Sequence, residues 1–392
     1  MNVGIDLIHF ATADFYLGLD VFAQQKNQDL NKYHVGIGQE KMSIAPPDED
    51  VVTLAAKACD PVLAASDPSL ITAVFFATES GVDQSKSAGA FLHGLLGLPN
   101  RCRVMEFKHA CYAGAAALQM AVNSVRANPN ERILVVAADI ARYDVDTSGE
   151  ATQGCGAVAM LVTANPRIMA IEPGSGYYTE DVMDFWRPNH RDTALVDGKY
   201  STKVYLHSLK QAWSHFQDAT GRGFADIQHF CYHIPFTKMA EKAHKQLVKL
   251  AGVAQDDAQT QTQIQPSQIY NRVIGNSYSA SLFVGFCSLL DYYAQKSTDL
   301  SGDRVGLFSY GSGCVAEFFS GVLQTGYQAH LFTKSHLAQI AQRKALSYAD
   351  YLAYYQQPQP NEANITFDVY HAGPYRLAGI QDHKRYYLKT EA

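Results

Sequence analysis

The order of apolar segments in the first half of the chain recurs in the second, and this recurrence constrains the fold more than any single motif. Ala73-Val74-Phe75-Phe76-Ala77 is an apolar run of strand length, and a helical stretch follows over 87–96. An Ala-rich helical spacing runs over 111–125. Ile133-Leu134-Val135-Val136-Ala137-Ala138 is a second buried strand, and a third, entered through glycines, runs over 156–162. The second half repeats the series: a strand at His229-Phe230-Cys231-Tyr232-His233, an apolar helix over 278–290, a strand over 304–309 and a glycine-entered strand over 313–319. Strands alternating with long helices imply parallel sheets covered on both faces. Two copies imply two such sheets packed through shared helices. The division predicted is 1–170 and 171–392, and 392 residues suit one large duplicated unit.

Composition removes several function classes. Hydrophobic residues are 47% and charged residues 18%, enough for a sizeable core. A net charge of −6 excludes a general nucleic-acid binder, which needs a basic surface. No run approaches the roughly 18 apolar residues of a membrane span. Met1-Asn2-Val3-Gly4-Ile5-Asp6 reads as a first strand and not as a signal peptide. Seven scattered cysteines without a C-x-x-C pair fit a reducing cytosol, so a cytoplasmic protein with no metal site is expected. Neither a dinucleotide fingerprint after a strand nor a phosphate loop is present. Segment 254–267 reads as a surface loop or a frayed helix end, and 356–361 as a turn-rich surface connection. The irregular stretch 177–200, with Trp186 and Pro188, suits the wall of an active site.

Chemistry-bearing residues fall at the ends of these elements. Cys111 lies where an extended segment meets a helix of very small residues, so the helix start favours its thiolate. A cysteine in isolation is more often a structural one, and its setting reverses that preference here. Glu79 closes the first buried strand, where an apolar environment raises a carboxyl toward the range of a general base; a solvated loop glutamate is the competing reading. His233 closes the matching strand of the second half. Asn276 falls near the place corresponding to Cys111, as a holder of a carbonyl oxygen or as an ordinary helix cap. Ser309-Tyr310-Gly311-Ser312-Gly313 closes the next strand, where glycines admit positive φ and a close approach of backbone N–H groups, or else form a plain hairpin.

With their surroundings, these residues resemble 3-hydroxy-3-methylglutaryl-CoA synthase of the bacterial type, a mevalonate-pathway enzyme. The likeness runs through Val35-Gly36-Ile37-Gly38-Gln39, Ala77-Thr78-Glu79-Ser80, Ala110-Cys111-Tyr112, Asp139-Ile140-Ala141-Arg142-Tyr143, Thr152-Gln153-Gly154, Asp184-Phe185-Trp186-Arg187-Pro188, His233-Ile234-Pro235-Phe236-Thr237-Lys238-Met239 and Gly275-Asn276. His109, Ala151 and the stretch 189–194 depart from the usual pattern. The resemblance implies a thiolase fold, two pseudo-symmetric α/β halves in an αβαβα layered arrangement, assembled as a homodimer. It implies condensation of acetyl-CoA with acetoacetyl-CoA and water. Cys111 would carry the acetyl group, Glu79 would act as general base and His233 would orient acetoacetyl-CoA with Asn276 beside it. Backbone N–H groups near Cys111 and Ser309 would hold developing oxyanions. Tyr143, Thr152 and Ser201 would line the acyl pocket. Lys238 and Lys242 would meet the CoA moiety, with a solvated helix face as the competing reading for Lys242. CoA thioesters are substrates, and no cofactor is implied. A β-ketoacyl carrier-protein synthase lacks a counterpart of Glu79, a Cys–His thioester hydrolase would acylate without condensing, and a vestigial CoA-thioester binder would not keep an intact Glu–Cys–His set.

Overall fold

In the computed structural model, residues 1–254, 256–356 and 362–390 are described. The repeated apolar runs become strands of one large sheet: β1 (Val3–Ala11), β2 (Ala73–Ala77), β3 (Arg103–Phe107), β4 (Ile133–Ile140), β5 (Cys155–Ala164), β6 (Met169–Ile171), β7 (Gly176–Thr179), β8 (His229–Tyr232), β9 (Arg304–Gly311) and β10 (Val315–Leu323). Their order across the sheet is β8-β9-β10-β6-β1-β5-β4-β2-β3, with β7 paired to β10. The helices that matter for the site are α1 (Val51–Ala64), α2 (Ala88–Leu95), α3 (Ala113–Ala127), α4 (Gly198–Thr220), α5 (Lys238–Ala251), α6 (Asp257–Ile264) and α7 (Ser281–Gln295).

Strand pairing shows the duplication directly. β2 runs parallel to β4, β4 antiparallel to β5, and β5 antiparallel to β1. In the other half, β8 runs parallel to β9, β9 antiparallel to β10, and β10 antiparallel to β6. The sheets are therefore mixed, not parallel as the strand–helix alternation implied. The glycine-entered strands follow their predecessors through loops too short for a helical crossover in the β9–β10 case, so they return antiparallel. The halves also differ from two separate sheets: β6 bonds to both β1 and β10 and joins them edge to edge.

Side-chain alternation along the strands separates three cores. Ile133, Val135 and Ala137 of β4 face a core shared with α3 and α7, whereas Leu134, Val136 and Ala138 face a core built with α1. Cys231, Val305 and Leu307 of the second half join the same α3/α7 core. Phe230, Tyr232, Phe308 and Tyr310 turn outward to α4 and α5. The layers are thus α1, sheet, α3 with α7, sheet, and α4 with α5. The Ala-rich sequence of α3 suits the central layer, because small side chains let a helix be packed on every side.

Segment 254–267, expected as a loop or a frayed helix end, is helical over most of its length. Asp256 and Gln259 form a reciprocal capping box that starts α6, and a 3₁₀ turn follows at Gln265–Ser267. The apolar helix expected over 278–290 opens as a 3₁₀ turn, Tyr278–Ala280, before α7. Of the connection 356–361, residues 357–361 lie outside the described residues. Among the described residues no helix is long and apolar enough to cross a membrane.

Candidate active site

The C-terminal ends of β2, β4, β8 and β9 and the N-terminal ends of α3 and α7 bring the site together. Cys111 lies two residues before α3 and is 9% exposed. Its thiol donates to Glu79 Oε1 at 3.2 Å, across 32 residues of chain. Glu79 follows β2, and Ala77, two residues earlier, faces the α3/α7 core, so strand alternation aims the carboxyl at the start of α3. The guanidinium of Arg187 donates to the carbonyl oxygen of Glu79 and fixes that turn.

Burial raises the Glu79 carboxyl to about 8; the nearby Asp139 carboxylate adds to this, while the Cys111 thiol and Arg187 oppose it. Burial also raises the Cys111 thiol well above its ordinary value, reinforced by Glu79, Asp139 and Asp184. The helix start, which favours the thiolate, is therefore opposed by its surroundings. The partial positive charge of the α3 start favours ionisation, but desolvation and three carboxyl groups outweigh it.

Asp139, which sequence reasoning quoted only as part of a motif, organises this corner. It is fully buried at the end of β4. Its Oδ1 accepts from Thr78 Oγ1 (2.8 Å), from the N–H groups of Glu79 (2.8 Å) and Ser80 (2.9 Å), and from Ser80 Oγ (2.8 Å). Its Oδ2 accepts from the N–H of Ser279 at 3.0 Å and from the Ser279 hydroxyl. One carboxylate thus holds the Glu79 turn of the first half against the α7 start of the second. A charged residue closing a buried strand is the signal that singled out Glu79, and it was present for Asp139 too.

Asp184 plays a similar part on the other wall. It accepts from Ser201 Oγ (2.9 Å), Tyr310 OH (2.6 Å) and the N–H of Gly313 (2.9 Å). Ser201 is therefore held through Asp184 near the site. The segment 177–200 forms a short hairpin, Phe185–Trp186 against Leu195–Val196. Met183, Trp186, Arg187 and Arg191 from it line a cleft of about 740 Å³ whose floor includes Glu79, His109 and Ala110.

His233 is 2% exposed, and burial lowers its imidazole to about 3, so the ring is neutral. Its Nδ1 lies 2.7 Å from Ser281 Oγ, on the first residue of α7. Its N–H donates to Phe308 O at 2.8 Å, next to Ser309, which is buried inside β9 opposite Glu317. Gly311, at the end of that strand, lies against the Cys111 loop: a Cβ there would meet His109 O at 2.6 Å and Tyr112 N at 2.7 Å. Only glycine lets the two halves approach this closely. Asn276 is buried, and its Oδ1 accepts from the N–H of Tyr278 at 2.9 Å in a local turn. Its own N–H donates to Thr152 O at 3.1 Å, while Thr152 Oγ1 donates to Gly149 O. Tyr143 and Tyr278 share a small apolar cluster with Cys111, and Phe185 packs against it.

Lys238 and Lys242 stand apart, at the start of α5. Lys238 Nζ donates to Val35 O at 3.2 Å; exposed Lys242 lies 5.1 Å from the centre of the Phe236 ring. Neither lines the cleft at Glu79. Among the described residues no three His, Cys, Asp or Glu side chains converge as metal ligands.

A layered duplicated fold with a buried cysteine and carboxyl at the junction of its halves defines a condensing enzyme of the thiolase-like class. Its solved neighbours agree. A structure of HMG-CoA synthase complexed with CoA superimposes with a TM-score of 0.93 at 39% identity, with 100% of both chains covered. A synthase in complex with 3-hydroxy-3-methylglutaryl-CoA gives 0.91 at 34%, covering 100% of this chain and 99% of that one. The family models described as hydroxymethylglutaryl-coenzyme A synthase N terminal and C terminal match residues 1–167 and residues 169–259 and 244–369. The hydroxymethylglutaryl-CoA synthase of Enterococcus faecalis is 41% identical over 372 residues, 94% of this chain and 95% of its own. A polyketide-biosynthesis 3-hydroxy-3-methylglutaryl-ACP synthase of Bacillus subtilis is 34% identical over 82% of this chain and 80% of its own. The chain belongs to the hydroxymethylglutaryl-CoA synthase family.

Proposed function

We propose that this member of the family condenses acetyl-CoA with acetoacetyl-CoA and water, giving 3-hydroxy-3-methylglutaryl-CoA and free CoA. The observation that carries the reading is the 3.2 Å contact between the Cys111 thiol and the Glu79 carboxyl where the two halves meet. Glu79 takes the thiol proton, and the sulfur attacks the acetyl carbonyl; CoA leaves with a proton. The Glu79 carboxylate then removes a proton from the acetyl methyl group, and the resulting carbon attacks the ketone of acetoacetyl-CoA. The new alkoxide takes up a proton, and water cleaves the Cys111 thioester to release the carboxylate product. Neutral His233, aimed by Ser281, is a hydrogen-bonding group for the second thioester and not a fixed cation. Asn276 helps to hold the second thioester, and backbone N–H groups near Cys111 and Ser309 stabilise developing oxyanions. Tyr143, Thr152 and Ser201 shape the acyl pocket. Lys238 and Lys242, which lie outside the cleft, are assigned to the CoA moiety beyond it. The reading assigns no resident metal or cofactor.

A homodimer belongs to the same proposal. β3 pairs on one side only, and its Met105 is exposed, as is Met120 of α3. An open strand edge carrying apolar side chains is a surface that a second copy covers. Light scattering at micromolar concentration is expected to give twice the chain mass.

Incubation of the purified protein with both thioesters, followed by product analysis, tests the central reading. 3-Hydroxy-3-methylglutaryl-CoA and one CoA per turnover are expected. Release of acetate and CoA without the condensed product would make the protein a thioester hydrolase and sink the proposal.

A further inference from the structure

The turn after β2 is gripped from both sides by groups of opposite charge. On one side the Asp139 carboxylate accepts from the N–H groups of Glu79 and Ser80 at 2.8 and 2.9 Å. On the other the Arg187 guanidinium donates to the Glu79 carbonyl oxygen. Asp139 is fully buried and clamps the two halves together. Arg187 is half-buried and follows Trp186 on the short hairpin of the cleft wall. That hairpin is tied down at both ends. Asp184 accepts from Tyr310 OH and from the N–H of Gly313, and the N–H of Ala194 donates to Arg142 O at 3.0 Å. A braced element, not a free loop, therefore delivers the arginine to the Glu79 turn.

The other arginines of the cleft are committed elsewhere. Arg191 pairs with Asp144 at 2.5 Å and Arg385 with Asp50 at 3.1 Å, and the Arg142 guanidinium lies 4.7 Å from the centre of the Tyr355 ring. Among the described residues Arg187 joins no ion pair, and its side chain donates to the Glu79 carbonyl. The Glu79 carboxyl is faced by Asp139 from β4, by Cys111 from the α3 start, by Arg187 from the hairpin and by the phenols of Tyr143 and Tyr278. Asp83, Glu106, Lys108 and His109 line the same cleft. Burial keeps both phenols neutral. Burial and Asp139 push the Glu79 carboxyl up, and among the described residues Arg187 is the one fixed cation that pulls it down.

We propose that Arg187 is a positioning residue for the Glu79 base: it anchors the turn by the Glu79 carbonyl and keeps a positive charge near the carboxyl. This rests on the reading of Glu79 as the base that removes the acetyl methyl proton. A nearby cation favours the carboxylate over the acid, so Glu79 becomes available as a base at a lower pH than its burial alone would allow. Asp139 and Arg187 thus act on one turn with opposite sign, the first through its N–H groups and the second through its carbonyl.

The test compares variants that separate charge from hydrogen bonding. Arg187→Gln removes the charge and keeps an N–H for the Glu79 carbonyl, whereas Arg187→Lys keeps the charge. Each protein is acetylated beforehand, the adduct is verified by mass spectrometry, and exchange of the acetyl methyl protons with deuterated solvent is followed against pH. An opposite charge close to a carboxyl typically moves its ionisation by about one to three units, and the lower end suits a half-buried cation. In Arg187→Gln the rise of exchange with pH should therefore move up by about one unit. The rate at pH 7 should fall about tenfold, with the rate at high pH close to the parent's. Arg187→Lys should keep the rise at the parent's pH, whatever it loses in rate. A merely structural arginine would lower the rate at every pH in both variants and leave the rise where it was. That result overturns the proposal, and so does a rise displaced equally in both. Arg187→Met serves as a second uncharged variant with the same expected shift, and failure of both uncharged variants to fold makes the arginine structural and overturns the assignment. Exchange at the parent rate in Glu79→Ala overturns the general-base reading itself, and this inference with it.

Discussion

The two halves place chemically different residues on the same backbone plan. In the first, the residue after a left-handed position, Ala110 with φ of 42°, is Cys111, and its thiol meets Glu79 from the end of the neighbouring strand. In the second, the left-handed position is Tyr278, with φ of 43°, and the residue after it is Ser279, whose hydroxyl is bonded to Asp139 of the other half and to Ala77 O. Asn276, which sequence position alone set against Cys111, is two residues before the left-handed one. At the strand ends Glu79 faces the Cys111 thiol, whereas His233 faces Ser281. One copy therefore keeps a transferable proton at its helix start. The other uses its helix start as a clasp between the halves, and Asp139 serves both, so only the first copy presents a thiol beside a carboxyl.

Replacing the nucleophile is the most damaging test of this asymmetry. Cys111→Ala is expected to lose the acetyl adduct by mass spectrometry and to lower product formation about 10⁴-fold or more. Adding Ser279→Cys to that variant should restore no adduct, because Asp139 and not Glu79 faces the new thiol. An adduct at position 279 would mean that the two helix starts are chemically equivalent after all.

Glu79→Ala comes next. Condensation should fall about 10²- to 10⁴-fold, as for other lost general bases. The acetyl adduct should form more slowly, since Glu79 also takes the thiol proton, but it should still accumulate on long incubation, because removing the carboxyl takes away two of the influences that hold the Cys111 thiol up. In the parent protein the Glu79 base is withheld below its pKa and available above it. The rate of methyl-proton exchange should therefore rise with pH through about 8. In Glu79→Ala this limb disappears, and stopped-flow or deuterium-exchange profiles will show whether it does.

A smaller effect is expected at the second strand end. Ser281→Ala removes the hydroxyl that orients His233, and a lost hydrogen bond of this kind costs about 1 kcal/mol. KM for acetoacetyl-CoA should rise several-fold while acetylation of Cys111 is unchanged. Equal effects on both half-reactions would show that His233 is not reserved for the second substrate.

The last effect concerns acid stability and leaves the rate at neutral pH aside. His233 is held neutral down to about 3, while the unfolded chain takes a proton near the ordinary histidine value of about 6.5. Between those values the unfolded state binds more protons, so the fold loses stability as pH falls from about 6.5 toward 3. His233→Gln should flatten that part of the profile in urea titrations, and Glu79→Gln should not. Glu79 works with the opposite sign, since its folded carboxyl keeps a proton from about 4.5 to 8, and its contribution is lost as pH rises through that window.

Local sequence determined most of the elements, because strand and helix periods need only neighbouring residues. Ala73–Ala77 is a strand over the residues expected, and Ser87 caps α2 as the helix signal there implied. The family motifs also pointed to Glu79, Cys111 and His233 before any contact was known. Tertiary structure decided what short range cannot express. Strand direction followed from how each connection returned, so the sheets came out mixed. The capping box of α6 was local but lay in a polar segment without an apolar stripe, where helical period carries no signal. The protonation of the Cys111 thiol followed from carboxyl groups 32, 28 and 73 residues away, Glu79, Asp139 and Asp184, together with the exclusion of water. Asp139 became a hub only when folding set Ser279, 140 residues later, against it. Charge and desolvation act through space, and their sum at one sulfur atom depends on which distant segments the layers press together.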